Sequence, residues 1–386
     1  ESLAVFMPFK VQEIQDKGGI YFGENAISHN LLLCNKGNLL NQSAFQLGVP
    51  GSGKSFLSKE QIAFLILNTE DDVLICDPEN EFGPLCQTLG REAATVVHMA
   101  AGGKDRLNAM YMVEGYGEQN PIVEKSQFVM SLIEQIDRRG VGPQHKSIID
   151  RCTALVYQDA ERTGRPATLC GLRQKLLEQP EDKAKDIALS LELFTTGSLD
   201  IFGKESTVDL DKRIVVFDIH SLGEQLKPTG LLVITDTILN RVTLNWKRGK
   251  RTHVFIDEFH LVFENEQSGI FFNSAWRQFR KRGAYPTAIT QNVEYLLDSV
   301  QASTMLSNSE FIVMLNQAAS DREKLSKLLN ISKEQMSYVT NADAGCGLLR
   351  YGSALVPFVN RFPKDTKLYA LMTTKPGEGV FGGAHG

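Results

Sequence analysis

The sequence predicts an α/β fold with a mainly parallel central sheet and an all-α insertion. Short apolar, β-branched runs recur along the chain with helical stretches between them, and such runs suit strands that are buried on both faces. Between about residues 105 and 204 the apolar residues repeat at helical spacing instead. A chain of 386 residues is long enough for one large domain with an insertion, or for two domains of ordinary size.

Six apolar runs are predicted as core strands. They cover residues 73–76, 94–98, 213–217, 253–256, 286–290 and 310–315. The apolar stretch AFQLG at 44–48 is predicted to form an earlier strand. The organisation that follows is a first core part at 1–104, the all-α insertion at 105–204, a second core part at 205–375 and a flexible glycine-rich tail at 376–386.

The insertion is predicted to contain at least three helices, at 128–139, 147–158 and 182–194. Apolar residues recur every three or four positions in the first two segments, as one face of an amphipathic helix requires. Gly140 and Pro143 separate these two helices, and Thr168 is a predicted N-cap.

Composition limits the classes of partner. A formal net charge of −5 provides no overall basic field, so any contact with DNA would need a local patch. The six cysteines form no C-x-x-C pair and are expected to be reduced packing residues of a cytosolic protein. No apolar run approaches the roughly 18–20 residues of a membrane helix. The chain begins with Glu1 and has no secretion signal, so we expect a fragment or a processed form.

Residues 48–55, GVPGSGKS, match the phosphate-binding loop G-x-x-x-x-G-K-[ST]. The loop lies between a predicted strand and a predicted helix, so backbone N–H groups at the helix N-terminus would converge on phosphate oxygens. Lys54 would contact the β- and γ-phosphates of ATP, and the Ser55 hydroxyl would bind Mg²⁺. A chance match in a glycine-rich turn is the alternative. The predicted nucleotide-binding residues are Gly48, Pro50, Gly51, Ser52, Gly53, Lys54, Ser55 and Phe56. With the parallel sheet, the loop predicts a RecA-like P-loop NTPase core.

Asp257 and Glu258 follow the apolar strand at 253–256. At the carboxyl end of a core strand Asp257 can hold the metal, and Glu258 can orient and polarise the attacking water. Adjacent acidic residues can also simply begin a helix at its electropositive end. The phosphate loop favours the catalytic interpretation.

A basic cluster, Arg277, Arg280, Lys281 and Arg282, is predicted on a helix that ends at Gly283. An arginine from this helix could act in trans on the transferring phosphoryl group, although cations near a helix C-terminus are also favoured by the helix dipole. Gln291 follows the next strand, where its amide could sense the γ-phosphate.

The sequence does not decide the roles of two further charged stretches. Asp77, Glu79 and Glu81 follow the strand at 73–76, where they either face a ligand or form a solvated turn. The basic turn at 247–251 contains Lys247, Arg248, Lys250 and Arg251, and is the most basic candidate for a DNA contact.

Together, GVPGSGKS, DPENEF, VFIDEFH and RQFRKRG followed by TQN resemble the conjugative type IV secretion ATPases, the VirB-four/TraC/TrsE-like family of the FtsK–HerA class of hexameric motors. The resemblance spans roughly residues 10–375 and includes the late stretch GCGLLRYGSALVPFVNRFP. By position it implies that Lys54 and Ser55 are the phosphate-loop pair, Asp257 and Glu258 the metal and water acids, and Gln291 the sensor. Arg280 matches the family's trans arginine best and Arg277 is the second choice.

The resemblance implies a motor that uses ATP and Mg²⁺ to energise channel assembly or the transfer of DNA or protein in conjugation or type IV secretion. It also implies a homo-hexameric ring, contacts with other channel proteins and with a coupling protein, and a cytoplasmic location at the inner face of the membrane. The resemblance leaves open whether DNA is bound directly. The main alternative is a DNA-pumping coupling protein or a HerA/FtsK-like translocase. A second alternative is a structural scaffold that binds nucleotide without hydrolysing it.

Overall fold

The computed structural model describes residues 13–118, 120–137, 141–197, 199–263, 266–375 and 378. The chain divides into two compact units. Unit 1 comprises Glu1–Thr69, Ile289–Glu294 and Leu306–Gly386, and unit 2 comprises Glu70–Ala288 and Tyr295–Met305. The predicted flexible tail at 376–386 lies outside the described residues, apart from Glu378.

Unit 1 contains a mixed sheet. Its strands are β1 (Ile20–Asn25), β2 (Leu31–Cys34), β3 (Ala44–Leu47), β9 (Phe311–Met314), β10 (Cys346–Tyr351) and β11 (Ala354–Val359). They are ordered β2-β1-β11-β10-β9-β3, and only the β9–β3 pair is parallel, with Phe45 opposite Ile312. The helices are α1 (Lys54–Asn68), α12 (Ala319–Leu329), α13 (Lys333–Met336) and α14 (Lys367–Met372).

The core of unit 1 is aromatic at its centre. Phe22 of β1 packs edge-on against Phe311 and Phe358, each with ring centroids 5.4 Å apart. Edge-to-face packing of this kind is favoured by the ring quadrupoles. Further buried residues of the same cluster include Leu32, Ala44, Leu57, Val313, Leu349 and Val356. This core supports β3 and the start of α1, between which the phosphate loop lies.

Unit 2 contains an entirely parallel sheet. Its strands are β4 (Asp72–Asp77), β5 (Ala94–His98), β6 (Ile214–Asp218), β7 (Thr252–Ile256) and, up to Ala288, β8 (Ala284–Thr290). Their order is β8-β7-β4-β6-β5, and every pair is parallel. Parallel strands end at the same edge of a sheet, so the residues that follow β4, β6 and β7 are neighbours.

Helices fill the rest of unit 2. Three helices each connect two consecutive strands: α2 (Gly83–Gly90), α8 (Lys227–Lys247) and α9 (Glu266–Lys281). The long connection between β5 and β6 contains α3 (Pro121–Ile136), α4 (Pro143–Thr163), α5 (Leu169–Leu177), α6 (Asp182–Ser190) and α7 (Glu192–Thr195). Two short helices, α10 (Val293–Asp298) and α11 (Val300–Ser307), have residues in both units. Helix α3 packs against both α8 and α9.

Local signals explain where the helices between β5 and β6 begin and end. Pro143 is the first residue of α4, and Gly164 ends it with a left-handed φ of 70°. The predicted N-cap at Thr168 is confirmed, because its hydroxyl accepts a hydrogen bond from the N–H of Gly171 at the start of α5. Within the part of the chain that the structure describes, each helix is too short or too polar to span a lipid bilayer.

Candidate functional site

The phosphate loop of unit 1 connects β3 to α1. Two of its glycines have left-handed backbones, Gly51 with a φ of 76° and Gly53 with a φ of 100°, and L-residues with a Cβ rarely adopt this conformation. Gly53 is the N-cap of α1 and has no side chain that could cover the first turn. The N–H groups of that turn therefore face the loop, as phosphate binding requires.

Close contacts leave no room for side chains at two of the loop glycines. A Cβ on Gly48 would come within 2.6 Å of the Ser52 hydroxyl, which donates a hydrogen bond of 2.7 Å to the carbonyl of Val49. A Cβ on Gly53 would come within 3.0 Å of the backbone nitrogen of Gly345, which donates to the Ser52 carbonyl. The turn before β10 thus supports the loop, a role for Gly345 that sequence spacing did not predict.

Lys54 bends back over the loop. Its ammonium donates hydrogen bonds of 2.7 Å to the carbonyl of Gly48 and 3.1 Å to that of Val49. The side chain is only 9% exposed. The ammonium is therefore held against the loop backbone, on the element whose N–H groups would bind phosphate.

Asp257 and Glu258 follow β7 in unit 2. Asp257 is buried, and its carboxylate accepts a hydrogen bond of 2.9 Å from the N–H of Glu258. Glu258 has a left-handed φ of 47°, which is unusual for a bulky residue and is often found at functional sites. Nδ1 of His260 lies 3.1 Å from a carboxylate oxygen of Glu258. His260 belongs to the quoted motif VFIDEFH, but its sequence position gave no signal of this contact.

Carboxylates crowd this edge of the unit 2 sheet. Burial raises the pKa of Asp257 well above its usual range, reinforced by the charge of Glu258 and opposed by the Glu258 N–H, with smaller contributions from Asp77 and Glu81. Burial also raises the pKa of Asp77 to about 6, although two backbone N–H groups that donate to its carboxylate lower it. A divalent cation near these acids would favour their ionised forms.

Two of the three acidic residues at the end of β4 and in the turn after it have structural roles. The Asp77 carboxylate accepts hydrogen bonds of 2.9 Å from the N–H groups of both Glu81 and Phe82, so it closes the turn before α2. Glu79 forms an ion pair of 2.7 Å with Lys227 at the start of α8. Glu79 is exposed, as in a solvated turn, whereas Asp77 is buried and holds the turn from inside.

The basic cluster on α9 divides into exposed and buried members. Arg277, Arg280 and Lys281 are exposed, and Lys281 pairs with Glu118 at 2.5 Å. Arg282 is buried and donates to Thr243 at 2.8 Å and to two backbone carbonyls. Only the exposed arginines are available to a neighbouring molecule, and Arg282 is a structural residue of unit 2.

The basic turn after α8 is largely neutralised within unit 2. Lys250 pairs with the buried Asp72, and Arg251 lies 3.6 Å from Asp71. Lys247 lies 3.6 Å from Glu114. Since three of its four cations have acidic partners, this turn is a weak candidate for a DNA contact.

Each unit contains its own set of residues whose chemistry suits ATP and Mg²⁺. In unit 1 the loop has N–H donors, a poised ammonium and the hydroxyl of Ser55, and Gln291 directly follows β8. In unit 2 the buried carboxyl of Asp257 is suited to a hard cation. No group of three or more His, Cys, Asp or Glu residues in the described part of the chain could hold a metal by itself. Mg²⁺ usually takes only one or two protein ligands, the rest being water and phosphate oxygens.

The fold is that of RecA-like P-loop NTPases, which confirms the predicted fold class. The structure of VirB4 of Thermoanaerobacter pseudethanolicus matches with a TM-score of 0.79 and 22% identity, covering 91% of this chain and 98% of that one. The plasmid coupling protein TrwB in complex with ADP and Mg²⁺ matches with a TM-score of 0.57 and 15% identity, covering 85% and 87%. Its ΔN70 form in complex with sulphate matches with a TM-score of 0.55 and 16% identity, covering 83% and 86%. No family model and no curated protein matches this chain.

Proposed function

We propose that this chain is an ATP-hydrolysing motor of a conjugation or type IV secretion machine, energising channel assembly or the transfer of DNA or protein. The observation that carries the proposal is the fold likeness to VirB4 over 91% of the chain, together with a complete phosphate loop. The parallel sheet of unit 2 ends in the acidic pair that such a motor needs.

In unit 1 the proposed nucleotide site is the loop from Gly48 to Phe56. Its backbone N–H groups would bind phosphate oxygens, and the ammonium of Lys54 would exchange its two loop carbonyls for the β- and γ-phosphates. Ser55 would contribute its hydroxyl to Mg²⁺, which when bound neutralises charge on the phosphates. The amide of Gln291 would report whether the γ-phosphate is present.

In unit 2 the proposed roles belong to the residues after β7 and on α9. Asp257 would hold the metal through water, and Glu258 would orient the attacking water and take its proton. His260, with Nδ1 3.1 Å from the carboxylate, would help to orient Glu258. Arg280, or Arg277 in second place, would stabilise negative charge in the site of an adjacent subunit.

The proposed assembly is a homo-oligomeric ring, which we take to be a hexamer. A trans arginine is useful only if subunits meet with α9 of one facing the nucleotide of the next, so oligomerisation and hydrolysis would be linked. The proposed partners are the channel proteins and the coupling protein of the secretion machine. The proposed location is the cytoplasmic face of the inner membrane, at the channel.

A second candidate is a DNA-pumping coupling protein, favoured by the fold likeness to TrwB. This candidate requires a basic surface for DNA, and the most basic turn of the sequence is largely neutralised by Asp71, Asp72 and Glu114. The lower TM-scores of the TrwB structures also place this function second.

The test is ATP turnover of the intact chain, measured with and without DNA over a range of protein concentrations. The proposed function predicts turnover that needs Mg²⁺, rises with protein concentration as rings assemble, and is independent of DNA. Strong DNA stimulation that weakens steeply with salt would favour the coupling protein. Nucleotide binding with no turnover under any of these conditions would support the scaffold and reject the motor.

A further inference from the structure

Helix α9, which carries both candidate trans arginines, is attached along its length to α3. The two helices run antiparallel. The amide of Gln135 donates 3.0 Å to Ser268, and the rings of Phe128 and Phe271 lie 5.3 Å apart. Near the other end the amide of Gln278 donates 2.8 Å to Glu124. These contacts fix both the rotation and the sliding of α9 relative to α3.

The C-terminal end of α9 is held by Arg282. One guanidinium nitrogen donates to the hydroxyl of Thr243 on α8, at 2.8 Å. The other donates to the carbonyls of Gly115 and Gly117, at 3.2 and 2.7 Å. The planar fork of an arginine can serve these three acceptors at once, whereas a lysine ammonium on a flexible stem would not hold the same geometry.

The two glycines allow the loop before α3 to present its carbonyls to Arg282. Gly115 and Gly117 have left-handed φ values of 86° and 76°. A Cβ on Gly115 would come within 2.8 Å of Lys247, and one on Gly117 within 2.8 Å of the Glu124 carboxyl. Glu124 also accepts a hydrogen bond from the N–H of Glu118. Loop, α3 and α9 are therefore joined in one hydrogen-bonded cluster.

The same helix turns its other side to solvent. Gln278 is 2% and Arg282 is 7% exposed, whereas Arg277 and Arg280 are exposed. Arg282 directly follows α9, and its N–H still donates to the carbonyl of Gln278 at 3.0 Å, so it continues the last helical turn. Positions 278 and 282 therefore lie on one face and positions 277 and 280 on another, since neighbours on one face are three or four residues apart. Fixing the inner face consequently fixes the direction in which the exposed arginines project.

We propose that Arg282 and Gln278 are positioning residues, through which α3 and the loop at 113–118 hold α9 so that Arg280 is presented to the adjacent subunit. This inference rests on the proposed function, specifically on an arginine acting in trans. The guanidinium of Arg282 does not touch the nucleotide in this scheme. It acts by limiting the motion of α9, and a displacement of about 1 Å can cost a catalytic group up to about 100-fold in rate.

The experiment uses mixed assemblies of two defective full-length chains. Lys54→Ala subunits cannot hydrolyse ATP but still donate Arg280, and Arg280→Ala subunits keep an intact site but donate no arginine. Mixing them should restore part of the turnover. Arg282→Lys is then placed either in the Lys54→Ala donor or in the Arg280→Ala acceptor. Arg151→Lys, on the exposed face of α4, is the matched control in each background.

We expect Arg282→Lys in the donor to lower the restored turnover about 10-fold, with an unchanged KM for ATP, and in the acceptor to change it by less than about 2-fold. Equal effects in the two backgrounds, or none in either, would overturn the positioning role, because loss of stability alone does not distinguish donor from acceptor. If the unmodified mixture shows no restored turnover although wild-type chain hydrolyses ATP, the trans arginine and this inference fail while the motor stands.

Thermal unfolding and the size of the assembly are recorded for every variant. If Arg282→Lys does not fold, Gln278→Met takes its place, because methionine keeps the length of the side chain and removes the amide that donates to Glu124 and, at 3.4 Å, to Ser274 of the same helix. The same asymmetry between donor and acceptor is expected. If the wild-type chain hydrolyses no ATP, the proposed function itself is rejected. This outcome is measured before any variants are mixed.

Discussion

The ammonium of Lys54 donates a hydrogen bond of 2.7 Å to the carbonyl of Gly48, six residues earlier in the phosphate loop. The lysine is thus held by the loop that it would serve. A second hydrogen bond, to the carbonyl of Val49, and near-complete burial place the ammonium against the dipoles of the loop backbone.

We expect Lys54→Ala to lower ATP turnover by at least about 100-fold, because the charge that faces the β- and γ-phosphates is lost. ATP turnover and an ATP-dependent rise in the unfolding temperature are the measurements. Lys364→Ala, at an exposed lysine of the same unit, is the control and should retain wild-type values. Turnover by Lys54→Ala at the level of this control would exclude the loop as the catalytic site.

Glu258→Gln should separate hydrolysis from binding. The amide has the shape of the carboxylate but cannot take a proton from water, so turnover should fall by about 100- to 10,000-fold while ATP still raises the unfolding temperature. Glu161→Gln, exposed on α4, is the control. Unchanged turnover in Glu258→Gln would mean that another group is the base.

The sequence predicted the strands of unit 2 well, because strands of a parallel sheet are apolar throughout. The runs at 73–76 and 253–256 coincide with β4 and β7 within one residue. Strands β1 and β2 were not predicted, since they are only partly buried, and antiparallel strands with one solvated face lack a continuous apolar run.

The roles of single charges could not be read from spacing. Arg280 and Arg282 are two positions apart in the same basic cluster, yet one is exposed and the other is buried against Gly117 and Thr243. Lys250 likewise belongs to a basic turn but pairs with Asp72, far away in the sequence. Such pairings depend on the packing of α8 and α9, which local sequence does not encode.

Glu60 of α1 should make folding stability depend on pH. Burial raises the pKa of its carboxyl from 4.5 to about 7, partly offset by a hydrogen bond from the Asn360 amide. Below pH 4.5 both folded and unfolded chains hold this proton and its contribution is fully present. As pH rises to about 7 only the unfolded chain releases it, so about 3 kcal/mol of stability is lost.

Glu60→Gln replaces the ionisable carboxyl with an amide that does not titrate, so its stability should not fall over this range. The free energy of unfolding of Glu60→Gln should therefore rise relative to that of wild type as pH increases from about 4.5 to about 7. Urea unfolding at several pH values is the measurement. Glu323→Gln, fully exposed on α12, is the control, and we expect no comparable gain. Parallel stability curves for Glu60→Gln and wild type would show that Glu60 ionises normally in the folded chain.

The last prediction concerns the buried ion pair between α3 and α8. The ammonium of Lys125 lies 2.6 Å from the Asp236 carboxylate, and both side chains are at most 2% exposed. The second carboxylate oxygen accepts a hydrogen bond of 2.5 Å from the hydroxyl of Tyr116, and Lys125 also donates to the carbonyl of Tyr111. Every charge in this cluster has a partner, so removing one leaves another buried and uncompensated.

We expect Lys125→Met to lower the free energy of unfolding by about 3–5 kcal/mol, because Asp236 would keep a buried charge without its cation. Lys185→Met, at a lysine of α6 whose partner is exposed, should cost less than about 1 kcal/mol. Adding Asp236→Asn to Lys125→Met removes the stranded charge and should recover part of the loss, which denaturant unfolding would measure as a non-additive double-mutant cycle. Additive losses would mean that the two side chains contribute independently and that the ion pair couples α3 to α8 by no measurable free energy.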